Sequence, residues 1–153
     1  MIEYQNWTEK DIQYLKTINS YSEMKEVALK MLKGLPQPVA QVCGPLTTGG
    51  RGSFKANLEM FSEGIEILVN KGKTVFDQRP FEIPIQNLKK LTKGSGYQFE
   101  VLNDFYLPIF KSGLVKELYF LPGWEGSVGA KWEHEQARLL NIEILYFDKD
   151  LIS

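Results

Sequence analysis

The chain has 153 residues, of which 43% are hydrophobic and 24% charged, and its formal net charge is −1. These values are typical of a globular domain with a real core, and they give no reason to expect nucleic-acid binding, which usually needs a basic surface. No apolar run is long enough to span a membrane, and the polar N-terminus lacks a signal-peptide core. We therefore expect no membrane partner and a cytoplasmic location, and the lone Cys43 cannot form an internal disulfide.

Residues 8–33 carry apolar side chains at helical spacing and are predicted to be helical. Ser20–Ser22 is the point at which this region would divide into two helices, and Gly34 is typical of a helix end. We expect an N-terminal helical extension over residues 1–35, ahead of an α/β domain over residues 36–153.

The α/β domain begins with a short apolar segment, Val39–Cys43, that predicts a strand. The segment that follows, Gly44–Gly52 (G-P-L-T-T-G-G-R-G), is a loop by composition. Ser53 is a good N-cap for a helix whose apolar residues repeat at intervals of three and four between Phe54 and Leu68. Lys73–Phe76 is predicted to be the second strand.

The middle of the chain is harder to predict. Residues 77–96 contain two prolines and predict only a short helix near Gln86–Leu91. A helical pattern returns over Tyr97–Ser112. Pro108 inside it lacks the N–H that would bond the carbonyl of Asp104, so we expect a helix that bends beside Asp104.

The last third predicts a strand at Glu117–Leu121, a helix at Gly129–Leu140 and a strand at Ile142–Phe147. Strands that alternate with helices indicate a parallel sheet with right-handed crossovers. We predict an α/β fold, a flavodoxin-like or Rossmann-like three-layer sandwich whose four or five parallel strands have the order 2-1-3-4. Ligands bind such sheets in a crevice at the carboxyl ends of strands 1 and 3. Both loops at that place, Gly44–Gly52 and Pro122–Val128, are glycine-rich.

Three acidic residues are candidates for catalysis at this crevice. Glu133 lies one turn into a helix, where the helix dipole favours the ionised carboxylate that nucleophilic attack requires. Asp104 lies in an aromatic, apolar run, and Glu125 lies beside Trp124 in a loop that should overlook the crevice. Paired carboxylates are used in glycosidic chemistry, although each residue is also compatible with an ordinary surface position.

The two glycine-rich loops also supply candidate phosphate-binding groups. Ser127 and Gly129 begin a helix, where a hydroxyl and free N–H groups can hold an anion, although Ser127 is equally compatible with an ordinary N-cap. The first loop offers similar groups in Thr47, Thr48, Gly49, Gly50 and Arg51. Neither loop contains a Walker A sequence or a dinucleotide-binding fingerprint.

His134 is the only histidine of the chain. Because no second histidine or cysteine ligand lies near it in the sequence, we predict no metal site. A Cys43–His134 dyad stays open as an alternative, although Cys43 is expected to be a buried strand residue.

Three segments together resemble the nucleoside 2-deoxyribosyltransferase superfamily, including its 2′-deoxynucleoside 5′-monophosphate N-glycosidase branch. They are V-C-G-P-L-T-T-G-G-R at Val42–Arg51, Asp104 on the helix before the third strand, and S-V-G-A-K-W-E-H-E-Q-A at Ser127–Ala137. The resemblance spans residues 39–147. The segment Leu121–Glu125 is also similar to one in uncharacterised phage and bacterial proteins.

The resemblance implies a role for each matching residue. Glu133 would attack the anomeric carbon, Asp104 would contact the base or pass it a proton, and Ser127 would touch a 5′-phosphate. Backbone groups from Gly44 to Arg51 would contact the sugar phosphate. Apart from the resemblance, Trp124, Phe105 or Tyr106 could stack on the base. The implied activity is N-glycosidic bond cleavage or base exchange on a nucleoside or nucleoside 5′-monophosphate, in a homo-oligomer of two or more subunits, and we expect no cofactor.

Two other functions are compatible with the sequence, namely a non-catalytic nucleotide-binding module and an assembly subunit with a vestigial pocket. The enzymatic hypothesis requires Glu133 and Asp104 to converge on one hollow lined by both glycine-rich loops. The chain departs from the family pattern at Gln41, where the first strand often carries a tyrosine.

Overall fold

The computed structural model describes residues 4–47, 49–91 and 99–152, so the candidate residue Thr48 lies outside the described residues. Its helices are Glu9–Leu15 (α1), Tyr21–Lys33 (α2), Phe54–Asn70 (α3), Arg79–Leu91 (α4), Leu107–Lys111 (α5) and Val128–Leu140 (α6). Its strands are Val39–Cys43 (β1), Thr74–Val75 (β2), Glu117–Phe120 (β3) and Glu143–Tyr146 (β4). A π-helix covers Leu102–Tyr106, and a 3-10 turn covers Trp124–Gly126.

The four strands form one parallel sheet in the order β2-β1-β3-β4, which confirms the predicted α/β fold and strand order. The arrangement is that of a flavodoxin-like three-layer fold. Cys43 pairs with Phe120, and Phe120 pairs with Tyr146, so the carboxyl ends of three strands lie at one edge. All five residues of β1 are buried, as expected for a central parallel strand covered on both faces.

Helices cover both faces of the sheet. On one face α3 packs its apolar side, including Phe61 and Ile65, against Ala40 and Val42 of β1. On the other face the larger core joins residues of α2, α4, α5 and α6. Across the ranges that the structure describes, no helix is both long and apolar enough to cross a lipid bilayer.

The two N-terminal helices contribute to the larger core. Leu15 of α1 and Met24 of α2 belong to the same buried cluster as Phe81 of α4 and Phe105 of the π-helix. Ser20 caps α2, since its side chain accepts a hydrogen bond from the backbone N–H of Glu23. A domain boundary at residue 35 stays a prediction, and in the structure these helices pack directly on the helices that follow the sheet strands.

The structure differs from the prediction between β2 and β3. Where the prolines predict only a short helix, α4 runs from Arg79 to Leu91 with Pro84 inside it. Beside Asp104 the chain forms a five-residue π-helix, in which the N–H of Leu107 donates to the carbonyl of Leu102, rather than a simple bend. Pro108 lies two residues after the π-helix and has no N–H to donate to the carbonyl of Asp104. The irregular hydrogen bonding therefore lies where the missing N–H predicts it.

Candidate active site

The two glycine-rich loops meet at the carboxyl ends of β1 and β3, as the strand order predicts. Gly49 has φ +72° and lies so close to Gly126 that a Cβ on Gly49 would be 2.8 Å from the Gly126 carbonyl oxygen. Gly123 similarly approaches the Cα of Gly50, since a Cβ on Gly123 would lie 3.7 Å from that atom. Backbone packs directly on backbone here, and no side chain fits between Gly49 and Gly126.

A buried asparagine holds the first loop in this position. Asn57 of α3 accepts a hydrogen bond from the backbone N–H of Arg51 at 2.7 Å. Its Nδ2 donates to the carbonyls of Leu46 at 2.8 Å and Gly49 at 3.2 Å. Asn57 is not among the predicted site residues, although a polar residue on the otherwise apolar face of a predicted helix is a signal that can reveal it.

A cavity of about 50 Å³ lies below the loops. It is bounded by the end of β1, by the β2–α4 connection, by α4, by the π-helix and by the start of α6. Six of its lining residues matter for the chemistry: Gly44, Gln78, Glu82, Tyr106, Gly129 and Glu133. Three of them, Gly44, Gly129 and Glu133, are predicted site residues. This volume has room for a few water molecules.

Glu133 is buried at the wall of this cavity, with 8% of its surface exposed. The Cys43 thiol donates a hydrogen bond to its Oε2 at 3.4 Å. Burial raises the pKa of Glu133 to about 8, the negative charge of Glu82 adds to the rise, and the thiol opposes it. The helix dipole does little to offset this rise, because Glu133 is the sixth residue of α6 and the dipole acts mainly within the first turn.

A second buried carboxyl group, that of Glu82 on α4, lines the same cavity and is only 2% exposed. The Tyr106 hydroxyl donates to its Oε1 at 3.3 Å. Burial raises the pKa of Glu82 to about 7, and the positive charge of Lys89 and the hydrogen bond from Tyr106 oppose that rise. The cavity therefore contains two carboxyl groups that titrate near neutral pH.

Gln78 presents a buried hydrogen-bond acceptor. Its Nε2 donates to the carbonyl of Val42 at 2.5 Å, which fixes the orientation of the amide. Its Oε1 is buried and has no hydrogen-bond partner among the residues that the structure describes. Because an unpaired buried acceptor is costly, this oxygen is suited to accept a hydrogen bond from water or from a ligand in the cavity.

The neighbours of Gln78 are held by a buried ion pair. The Arg79 guanidinium donates to both carboxylate oxygens of Asp77, at 2.8 and 2.6 Å. The N-terminal segment reaches the same place: the backbone N–H of Gln5 donates to Asp77 Oδ2 at 2.8 Å, and Trp7 Nε1 donates to the Asp77 carbonyl at 2.7 Å. The β2–α4 connection is thus fixed on both sides of Gln78.

Asp104 does not reach this cavity. It is exposed on the π-helix and lines a different cavity of about 560 Å³, which it shares with Tyr21 of α2 and with Glu100. The convergence that the sequence predicts for Glu133 and Asp104 is therefore not found, so the enzymatic hypothesis fails in the form that pairs these two residues. Glu82 is the carboxyl group that lines the same cavity as Glu133. Glu82 is not among the predicted site residues, because it lies between Pro80 and Pro84, and prolines predict an interruption of a helix.

Two of the predicted phosphate-binding side chains have protein partners. The Ser127 hydroxyl accepts from the backbone N–H of Ala130 at 3.2 Å, as an ordinary N-cap does. Arg51 forms an ion pair with Glu63 of α3 at 2.8 Å. Thr47 is exposed.

Trp124 and His134 pack against each other outside the cavity lining. Their rings stack at 4.3 Å with an angle of 9°, and His134 Nε2 is 2.7 Å from the Tyr146 hydroxyl. Trp124 is therefore not placed to stack on a base bound beside Glu133, and Glu125 next to it is exposed. Since the Cys43 thiol bonds Glu133 instead of His134, the structure does not form the Cys43–His134 dyad.

Among the described residues, no cluster of three or more histidine, cysteine or acidic side chains could hold a metal ion. Comparisons of the chain with protein-family models, with curated proteins and with solved structures gave no match.

Proposed function

We propose that this protein cleaves, or exchanges the base of, the N-glycosidic bond of a nucleoside or nucleoside 5′-monophosphate, with the carboxylate of Glu133 as the nucleophile. The observation that carries the proposal is a pair of buried carboxyl groups, Glu133 and Glu82, in one cavity lined by the start of the first glycine-rich loop and the start of α6. The resemblance of Val42–Arg51 and Ser127–Ala137 to the deoxyribosyltransferase superfamily supports the same chemistry.

The chemistry needs two carboxyl groups in different protonation states. Breaking an N-glycosidic bond builds positive charge on the sugar, which an adjacent carboxylate stabilises or captures. The base leaves more readily when it gains a proton. With pKa values of about 8 for Glu133 and about 7 for Glu82, the pair retains one proton near neutral pH. That proton lies mainly on Glu133, whose pKa is the higher, and the reacting form is the one in which the proton has moved to Glu82 and Glu133 is ionised.

The dimensions of the site suggest how a nucleotide would be arranged. A cavity of about 50 Å³ accommodates the anomeric carbon and its attacking group but not a whole nucleoside. The remainder of the substrate would lie against the paired loops, where the backbone at the start of α6 offers N–H groups to a phosphate. The unpaired Oε1 of Gln78 would accept a hydrogen bond from a hydroxyl or N–H group of the ligand.

The test is release of free base from a panel of ribo- and 2′-deoxyribonucleosides and their 5′-monophosphates, followed by chromatography. Glu133→Gln keeps the shape of the side chain and should lower the rate at least about 1,000-fold, because it removes the nucleophile. The matched control is Glu135→Gln, an exposed position on the same helix, which should retain the activity.

Base release that continues in Glu133→Gln would refute the proposed mechanism. Nucleotide binding without turnover, detected as a rise in melting temperature, would instead favour the non-catalytic binding module. The vestigial-pocket hypothesis would be supported by Glu133 bonded outward to a surface cation, whereas its hydrogen-bond partner here is the buried Cys43. The expected homo-oligomer stays a prediction that light scattering can measure.

A further inference from the structure

We propose that Glu82 is a catalytic residue of the same reaction: it donates the proton that the leaving base takes up while Glu133 attacks the sugar. This inference rests on the proposed function and adds to it the source of the proton. The sequence assigns that role to Asp104, which lies at a different cavity.

The position of Glu82 fits the role. It belongs to α4, Glu133 belongs to α6, and the two helices bring both carboxyl groups to the lining of one cavity at the end of β1. Glu82 is 2% exposed, so water does not carry its proton away freely, and Tyr106 binds one of its oxygens at 3.3 Å. A proton donor enclosed beside the reacting bond is the arrangement that general acid catalysis requires.

The charged and titratable groups that act on Glu82 come from three elements. Lys89 lies two turns further along α4, Tyr106 comes from the π-helix, and Glu133 comes from α6. The Cys43 thiol of β1 acts on Tyr106 and on Glu133. The negative charge of an ionised Glu133 favours a proton on Glu82, whereas Lys89 and the Tyr106 hydroxyl favour the carboxylate. The proton is thus held but can be released, as a group that cycles between acid and base must allow.

The proposed steps balance. In the first, a Glu133 oxygen forms a bond to the anomeric carbon, the glycosidic bond breaks with its electron pair on the base, and the Glu82 proton moves to a ring nitrogen of the base. In the second, water attacks the anomeric carbon, the bond to Glu133 breaks, and the water proton returns to Glu82. The products are the free base and the free sugar, or the sugar 5′-phosphate when the substrate is a monophosphate, and both carboxyl groups return to their starting states.

The experiment measures the pH dependence of kcat/KM for whichever nucleotide of the panel the unsubstituted chain turns over. The unsubstituted chain should give a bell-shaped profile. Glu82→Gln should retain a residual rate, lower by about 100-fold or more, and its profile should lose the alkaline limb because no acid remains to be deprotonated. Tyr106→Phe should move the alkaline limb to higher pH, since it removes a hydrogen bond that stabilises the Glu82 carboxylate.

The Tyr106→Phe arm keeps the test decisive if Glu82→Gln does not fold. Either of two results would overturn the assignment of Glu82. One is that the pH profile of Glu82→Gln is still bell-shaped, and the other is that Tyr106→Phe does not shift the alkaline limb. A larger loss in Glu82→Gln than in Glu133→Gln would overturn it too, because the roles would then be exchanged. If the unsubstituted chain releases no base from any substrate, the proposed function itself fails, and this result is distinct from the others.

Discussion

The buried carboxyl of Glu133 makes a quantitative prediction about stability. Its pKa is about 8 in the folded chain and 4.5 in the ordinary state that an unfolded chain provides. Because the folded pKa is raised, the stabilising contribution of the protonated group is complete below the unfolded pKa and is lost as the pH rises through about 8. The difference between the two pKa values corresponds to an upper limit of about 5 kcal/mol.

Glu133→Gln replaces the titrating group with a neutral one of the same size. The difference in free energy of unfolding between Glu133→Gln and the unsubstituted chain should therefore increase in favour of the variant as the pH rises. The increase should be up to about 4 kcal/mol between about pH 5 and about pH 9. Urea unfolding followed by tryptophan fluorescence at a series of pH values gives the difference directly. The Trp132 indole lies one residue before Glu133 and is half-buried, so its emission should report loss of the fold.

Glu135→Gln on the same helix is the control. Arg138 lowers the pKa of Glu135, so this substitution should not produce a stability gain that grows with pH. The raised pKa of Glu133 is refuted if the stability of Glu133→Gln and that of the unsubstituted chain change in parallel from acid to alkaline pH. Parallel curves would show that Glu133 has the same pKa in the folded and unfolded chains.

Three further predictions concern the cavity and the loops above it. Activity should be maximal between the pKa values of the carboxyl pair, about 7 for Glu82 and about 8 for Glu133, and a rate that stays constant down to about pH 5 would contradict the proposed single proton. Asp104→Asn should leave the rate of base release within about twofold of that of the unsubstituted chain, because Asp104 lines another cavity. A large loss would show that Asp104 does take part in the reaction. Gly49→Ala should destabilise the chain by about 1 kcal/mol more than Gly52→Ala, because both glycines have positive φ but only Gly49 lies against another backbone segment. Gly49→Ala should also weaken nucleotide binding. Urea unfolding measures the first effect and calorimetry the second.

The sequence predicts the sheet well because its signals are local. β1 is a short apolar segment between a cis-proline peptide and a glycine, and its observed bounds, Val39–Cys43, are the predicted ones. β2 is shorter than predicted, at Thr74–Val75, since strand ends are set by pairing across the sheet rather than by composition. Alternating strands and helices predict parallel strands. The flavodoxin-like arrangement of such strands adds the order 2-1-3-4 and with it the place where the two glycine-rich loops meet.

The site is less predictable because it depends on which way side chains point. Glu133 falls in the cavity because α6 presents that face to β1, whereas Asp104 lies on a π-helix, whose extra residue per turn shifts side chains away from the positions that an α-helix predicts. Glu82 can be assigned to the site only when it is known that α4 continues through Pro84. Its surroundings in the sequence, P-F-E-I-P-I, do contain a signal, namely an acidic residue between apolar ones.

Gln5 and Trp7 hydrogen-bond to Asp77, so the N-terminal segment helps to hold the residues that line the cavity. Both side chains of the Asp77–Arg79 pair are almost wholly enclosed, and the ring of Tyr4 lies 5.2 Å from the Arg79 guanidinium carbon. A shortened form beginning at the first strand would therefore uncover this ion pair and loosen the turn that carries the amide of Gln78. Minimised versions of the protein should accordingly retain the opening segment.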